Sequence, residues 1–147
     1  MSIMGLDFGQ KRIGVAIAAA EGLLAIPIDV IDRAGEEVDF KAIQTLINEW
    51  GVERVVVGLP LSMDGSIGKQ AEEVISFSKA LAHRISVPVD TWDERLSTVV
   101  AEGLMRDAGT KSGKRKAHRD AMAAAVILQG YLERARSLSP EEPMIPD

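Results

Sequence analysis

The sequence predicts an α/β domain in which an antiparallel hairpin opens a sheet that later strands, alternating with helices, extend. Three observations carry this. Two short apolar stretches, Ile3 to Phe8 and Ile13 to Ile17, flank the polar link Gly9 to Arg12; both are too short for helices and the right length for neighbouring strands. Val55, Val56 and Val57 form a β-branched run apolar on both sides, as in an interior parallel strand covered on both faces. Two stretches with apolar residues three to four apart surround that run and predict amphipathic helices.

In the first strand, alternation puts Ile3, Gly5 and Asp7 on one face and Met4, Leu6 and Phe8 on the other. Leu23 to Ile31 is a third apolar run; Pro27 inside it predicts an edge strand or a bulge. Arg33 to Val38 is a charged loop. From Val38 to Trp50, the positions Phe40, Ile43, Leu46, Ile47 and Trp50 make a helical stripe that Gly51 closes. Arg54 to Pro60 is the interior strand, and Leu61 to Gly68 holds the turn formers of a loop. Periodicity resumes at Lys69 through Ala71, Val74, Ile75, Ser78, Leu81 and Ala82, with His83 on the surface near the helix end. Val87 to Trp92 is then a strand after a helix, so part of the sheet is parallel. Ser97 is placed to cap a helix running to Ala108, which Gly109 ends. After a basic loop from Thr110 to Ala117, an alanine-rich helix to about Arg136 should lie close against its neighbour. The expected organisation is one domain over 1–136 and a flexible, acidic, proline-containing tail over 137–147.

Composition removes several function classes. With 147 residues and 46% hydrophobic content the chain can bury a proper core. It has no cysteine, so disulfides and thiolate metal sites are excluded and any metal must be held by oxygen or by the two histidines. No apolar run approaches the ~20 residues of a membrane span and Met1-Ser2-Ile3 does not begin a signal peptide, so a soluble cytoplasmic protein without membrane contact is expected. The net charge of -5 is uneven: with Glu141, Glu142 and Asp147 set aside, 19 acids face 17 bases, while 111 to 119 carries Lys111, Lys114, Arg115, Lys116 and Arg119 and no acid. A phosphate backbone responds mainly to such a local patch.

Three carboxylates stand out. Asp7 lies within an apolar strand, and an ionised carboxylate taken out of water needs a base, backbone donors or a metal ion; the alternative is that it caps the Gly9 turn. Glu94 follows the strand ending at Trp92, where the crevice of an open α/β sheet lies; alternatively it pairs with Arg95. Asp120 is expected in the first turn of the last helix, where an acid can also simply favour the helix dipole. Taken together, three carboxylates without cysteine suit magnesium or manganese. Two such ions about 4 Å apart can activate water and stabilise the leaving oxygen of a phosphodiester.

Leu6-Asp7-Phe8-Gly9-Gln10-Lys11-Arg12-Ile13-Gly14-Val15-Ala16, Gly58-Leu59-Pro60 with Asp64-Gly65-Ser66, Asp93-Glu94-Arg95-Leu96-Ser97-Thr98, and Arg119-Asp120-Ala121-Met122-Ala123-Ala124 resemble, in this order, the YqgF/RuvX family. The match covers nearly the whole chain short of the tail. The resemblance implies a ribonuclease-H-like fold: a five-stranded mixed sheet, its first three strands antiparallel, with helices on both faces. It also implies a bacterial nuclease proposed to trim precursor 16S ribosomal RNA, with Holliday-junction-resolvase-like relatives. Carried over by motif, Asp7, Glu94 and Asp120 form the acidic triad for Mg²⁺ or Mn²⁺, two ions. RuvC-type resolvases use a glutamate on the strand equivalent to Val55 to Pro60, where this chain offers Gly58.

Around such a site, Lys11, Arg12, Arg95, Lys116 and Arg119 are placed to meet phosphates, and for Lys114, Arg115 and Lys116 the choice is between the same surface and a solvated loop. Asp64 reads as turn chemistry, His118 as a less favoured phosphate contact, and Trp92 as core. The expected function is a metal-dependent endonuclease acting on structured RNA in 5′-end processing of precursor 16S rRNA, as a monomer or weak homodimer. The alternatives are a resolvase-like nuclease of branched DNA and a nucleic-acid-binding module without chemistry. An actin-like kinase, suggested by Asp7-Phe8-Gly9, would need two lobes where 147 residues supply one.

Overall fold

A computed structural model describes residues 1–19, 22, 24–95 and 115–137, with side chains of the last segment described over 120–135. The chain runs β1 (Ser2–Phe8), β2 (Arg12–Ala19), β3 (Ile26–Asp32), α1 (Glu36–Trp50), β4 (Val52–Leu59), α2 (Lys69–Arg84), β5 (Val89–Asp93) and α3 (Arg115–Ser137). The helix expected from Ser97 to Ala108, the start of the basic loop and residues 138–147 lie outside the described residues. Among the described residues no helix is long and apolar enough to cross a membrane.

One five-stranded sheet in the order β3-β2-β1-β4-β5 organises everything else. β1 pairs antiparallel with β2 and β2 with β3, whereas β4 runs parallel to β1 and β5 parallel to β4. β1 is therefore central, with its carboxyl end beside those of β4 and β5. Pro27 sits on the edge strand and also beside a register shift at Val15/Ala16, so both readings of that proline hold. Just before β3, the Ala25 N–H donates to the Oε1 of Gln129, a buried polar residue of α3, at 2.9 Å.

Strand alternation divides the apolar residues between two cores. Met4, Leu6, Val55 and Val57 meet α1 and α2 through Phe40, Ile43, Ile47, Val74, Phe77 and Leu81. On the other face Ile3, Val56 and Trp92 meet α3 through Ala124, Ala125, Leu128 and Tyr131. Trp92 is 4% exposed and packs edge-on against Tyr131, as core. Gly51 ends α1 in the left-handed conformation (φ 59°), its N–H donating to the Ile47 carbonyl. Trp50 departs from the expected stripe: it stands at the final helical position, where the chain turns back into β4, and stays 45% exposed.

The alanines of α3 let its backbone rest on the sheet. A Cβ on Gly5 would lie 2.9 Å from the Ala124 carbonyl oxygen, and one on Gly14 only 1.8 Å from that of Asp120. No side chain fits at either point, so the two glycines set how closely the helix crosses β1 and β2.

Candidate acidic site

Asp7 is the penultimate residue of β1, on the α3 face, and is registered opposite Gly14 of β2. Because the backbone of α3 touches Gly14 at Asp120, the crossing that Gly14 permits delivers Asp120 to Asp7. The helix begins at Arg115, so Asp120 stands in its second turn and not its first. The expected first-turn placement of Asp120 is corrected accordingly, and the alternative dipole role loses its basis, because the dipole's effect fades beyond the first turn. Helix formers at 115–119 extend the helix upstream of the motif.

Glu94 follows β5 directly, and its N–H donates to the Leu59 carbonyl at 3.2 Å, continuing the parallel ladder past the strand end. Its carboxylate turns back over β4: a Cβ built on Gly58 would lie 2.9 Å from Glu94 Oε2 and 2.3 Å from Ile127 Cδ1. The missing side chain at 58 thus leaves the space that the Glu94 carboxylate approaches.

The electrostatics show that the three acids feel one another. Burial, and then the negative charge of Asp120, push Asp7 up to about 6. Glu94 keeps one side open to solvent, yet desolvation at the strand ends, then Asp7, then Asp93 push it up to about 7. Asp120 faces a cation as well: Arg12 Nε donates to its Oδ2 at 2.5 Å, both side chains about 30% exposed (28% and 32%). As arranged, no three such groups among the described residues converge closely enough to form a ready metal cage. The donor chemistry nevertheless fits a hard divalent cation, because the set is oxygen-only and its mutual repulsion is what a cation relieves. Asp7, Glu94 and Asp120 are the residues that would hold it.

The basic residues have divided fates. Lys11 is exposed in the β1–β2 turn. Arg12 is engaged by Asp120, a pairing across 108 residues of sequence. Arg95 is bound to Asp93 through Nε and Nη2, the latter at 2.7 Å, which holds the Asp93 carboxyl below its usual range. Its Nη1 also donates to the Met63 carbonyl at 3.1 Å. Arg95 therefore clasps the end of β5 to the loop after β4, where Asp64 accepts the Ser66 N–H in the expected turn role. Lys114 and the side chains of Arg115, Lys116, His118 and Arg119 lie outside the described residues.

Two groups went unmarked in the sequence. Asp39, buried in the first turn of α1, accepts the Ala34 N–H at 2.9 Å. Arg33 lays its guanidinium 4.2 Å over the Phe8 ring while donating to the Gly9 and Gln10 carbonyls. An arginine at a strand end is no signal by itself; the aromatic residue two strands away gives it meaning.

Strand order, mixed pairing and acids at the carboxyl ends of β1 and β5 define a ribonuclease-H-like domain. The same fold is found in RuvC of Thermus thermophilus, which matches 92% of this chain and 97% of that one with a TM-score of 0.60 at 16% identity. The Thermus protein in complex with a Holliday junction superposes with a TM-score of 0.59 over 92% of the chain, also at 16% identity. By sequence the assignment is narrower: the RuvX profile, described as Holliday junction resolvase, matches residues 1–134, and the chain belongs to that family. Among its curated relatives, a protein of Desulforamulus reducens is 48% identical over 133 residues, 90% of this chain and 97% of the relative. One of Halothermothrix orenii is 46% identical over 138 residues, 94% and 99% of the two chains. Both are designated by name as proposed pre-16S rRNA nucleases.

Proposed function

We propose that this protein is a metal-dependent endonuclease that hydrolyses phosphodiester bonds of structured RNA, in maturation of the 5′ end of precursor 16S rRNA. The observation that carries the reading is the half-buried Asp7 carboxyl beside Asp120, its proton affinity raised by desolvation and by that neighbour, at the carboxyl end of the central strand. The substrate follows from the names of its relatives at 46–48% identity.

Asp7, Glu94 and Asp120 would hold Mg²⁺ or Mn²⁺, two ions in this reading, and the ions would supply Lewis acidity for activating water and for stabilising the leaving oxygen. Arg12 orients Asp120 through their hydrogen-bonded ion pair, and its guanidinium is placed to exchange that carboxylate for a substrate phosphate. Gly58 leaves Glu94 room to reach the site. Arg95 acts mainly as a positioning residue through its clasp. Lys11, Lys114, Arg115, Lys116 and Arg119 supply the cationic rim that meets the backbone. The domain over 1–136 carries all of this.

A second reading, resolution of branched DNA, is favoured by the family's description as Holliday junction resolvase. Cleavage of a labelled precursor rRNA fragment and of a four-way DNA junction, each with magnesium or manganese, separates the two. The RNA should be cut and Asp7→Asn should cut it at least about a hundredfold more slowly. Preference for the junction would move the protein to the second reading, and salt-sensitive binding without cutting of either would leave only a binding module.

A further inference from the structure

On the opposite face of β1 from Asp7, a cleft of about 750 Å³ opens between the amino-terminal ends of α1 and α2. Its centre is a column. Phe77 stacks on Phe8 with ring centroids 4.1 Å apart and planes 21° from parallel, and the Arg33 guanidinium lies 4.2 Å from the Phe8 centroid. Two groups at nearly the same height cannot share one side of a ring, so the order is Phe77, Phe8, Arg33. Nη1 of Arg33 is fixed by two 2.9 Å hydrogen bonds, to the Gly9 and Gln10 carbonyls, which hold the guanidinium before any ligand arrives. Arg33 is exposed, so the column ends in a planar cationic surface open to solvent.

The surroundings select the ligand. Glu36, Asp39, Glu72 and Glu73 line the cleft against the two cations Arg33 and Lys69, a balance that repels phosphates. A neutral planar group edged with both N–H donors and acceptors suits it: its face can stack on the guanidinium while its edge meets carboxylates and the Gln10 amide. Position narrows this further. Asp7 and Phe8 are consecutive residues of β1 pointing to opposite faces, so cleft and carboxylates open at the same end of the sheet from two sides of one strand. A nucleic-acid strand with a phosphate at Asp7 has only to pass over the β1–β2 turn for a flanking base to reach Arg33.

We propose that the Phe77–Phe8–Arg33 column is a stacking subsite for one unpaired base of the substrate RNA, within about two nucleotides of the phosphate held at the acidic site. This rests on the nuclease reading for the origin of the strand. It adds a determinant that base pairing would remove, so the enzyme prefers cleavage sites flanked by unpaired nucleotides.

The test is an abasic scan. Single nucleotides on either side of the cleavage site are replaced in turn by abasic ones, and both cleavage with magnesium and equilibrium binding in EDTA are measured by fluorescence anisotropy. One position should weaken binding to the wild type by about tenfold or more. Arg33→Lys, which keeps the charge but loses the plane, should bind the intact RNA as weakly as the wild type binds that abasic RNA, and be indifferent to the abasic change. Ser76→Trp, at an exposed position lining the cleft and clear of the turn, should do the same with an unaltered melting temperature. Uniform sensitivity at all positions, or an undiminished abasic effect in both variants, would overturn the subsite while leaving the nuclease intact. Binding with the expected base sensitivity but no cleavage would overturn the nuclease and leave the subsite standing.

Discussion

As the proposed metal ligand, Asp7 should have opposite effects on function and stability, and the two can be measured apart. Desolvation and the Asp120 charge push its carboxyl up to about 6 in the folded protein, against an ordinary value of 3.8. The folded state therefore binds more protons than the unfolded one between about pH 4 and 6, and stability falls as pH rises through that window. Above pH 7 the ionised Asp7 costs about 2 to 3 kcal/mol, taking 1.36 kcal/mol per pH unit of displacement. Asp7→Asn should raise the melting temperature of metal-free protein by about 5 °C at pH 8 and leave it unchanged at pH 3.5. An equal gain at both pH values would mean that the gain comes from packing and not from charge. That Asp7 was special was legible because a carboxylate interrupts an otherwise apolar strand. The Arg12–Asp120 pair was not legible: each partner had several nearer candidates, and only the close crossing of α3 at Gly14 chooses between them.

At the scale of elements, the site is built by three strand ends and one helix crossing, so substitutions that leave every carboxylate in place should still disturb it. Gly58→Ala puts a methyl group 2.3 Å from Ile127 Cδ1 and 2.9 Å from Glu94 Oε2. The isoleucine tip can turn away for about 1 to 2 kcal/mol, as in other overpacked cores. The carboxylate must move too, so cleavage should fall by more than the stability loss explains, about tenfold or more at a temperature where the variant is fully folded. Gly14→Ala has no such escape, because its 1.8 Å neighbour is backbone. Arg95→Ala releases the loop after β4 from β5 and should raise the metal concentration needed for half-maximal cleavage about tenfold, with rescue by Lys partial at best, since the fork to Asp93 is lost. An unchanged metal requirement would return Arg95 to the phosphate-contacting role that its sequence position first suggested. Hairpin, interior strand and both amphipathic helices were legible from period and turn chemistry. Phe77, a core residue of α2, and the upstream start of α3 were not, the first because an apolar stripe read at Ile75 and Ser78 already satisfied the helical period.

For the whole molecule, net charge is a poor guide to what it binds, and linkage is a better one. Replacing Lys114, Arg115 and Lys116 together by Ala should lower the salt slope of RNA binding by about 2, each lost phosphate contact contributing about 0.7 to 0.9; an unaltered slope would make that segment a solvated surface. Metal binding gives the sharper whole-molecule test, because two of the groups that would hold the ion, Asp7 and Glu94, titrate near neutrality. Protons compete with a cation at Asp7, held up to about 6, and at Glu94, held up to about 7. Magnesium should therefore stabilise the protein most above pH 7, by about 2.7 kcal/mol at a hundred times its dissociation constant. The gain should shrink steadily below pH 6, and sodium at equal ionic strength should not reproduce it. Asp7→Asn should remove most of the gain at pH 8, although that variant starts from the higher melting temperature. Two opposite shifts from one substitution, upward without metal and a lost increment with it, require that Asp7 be both a repelled carboxylate and a ligand. A magnesium gain that is the same at pH 5 and pH 8, or that survives in Asp7→Asn, would place the ion somewhere other than the end of β1.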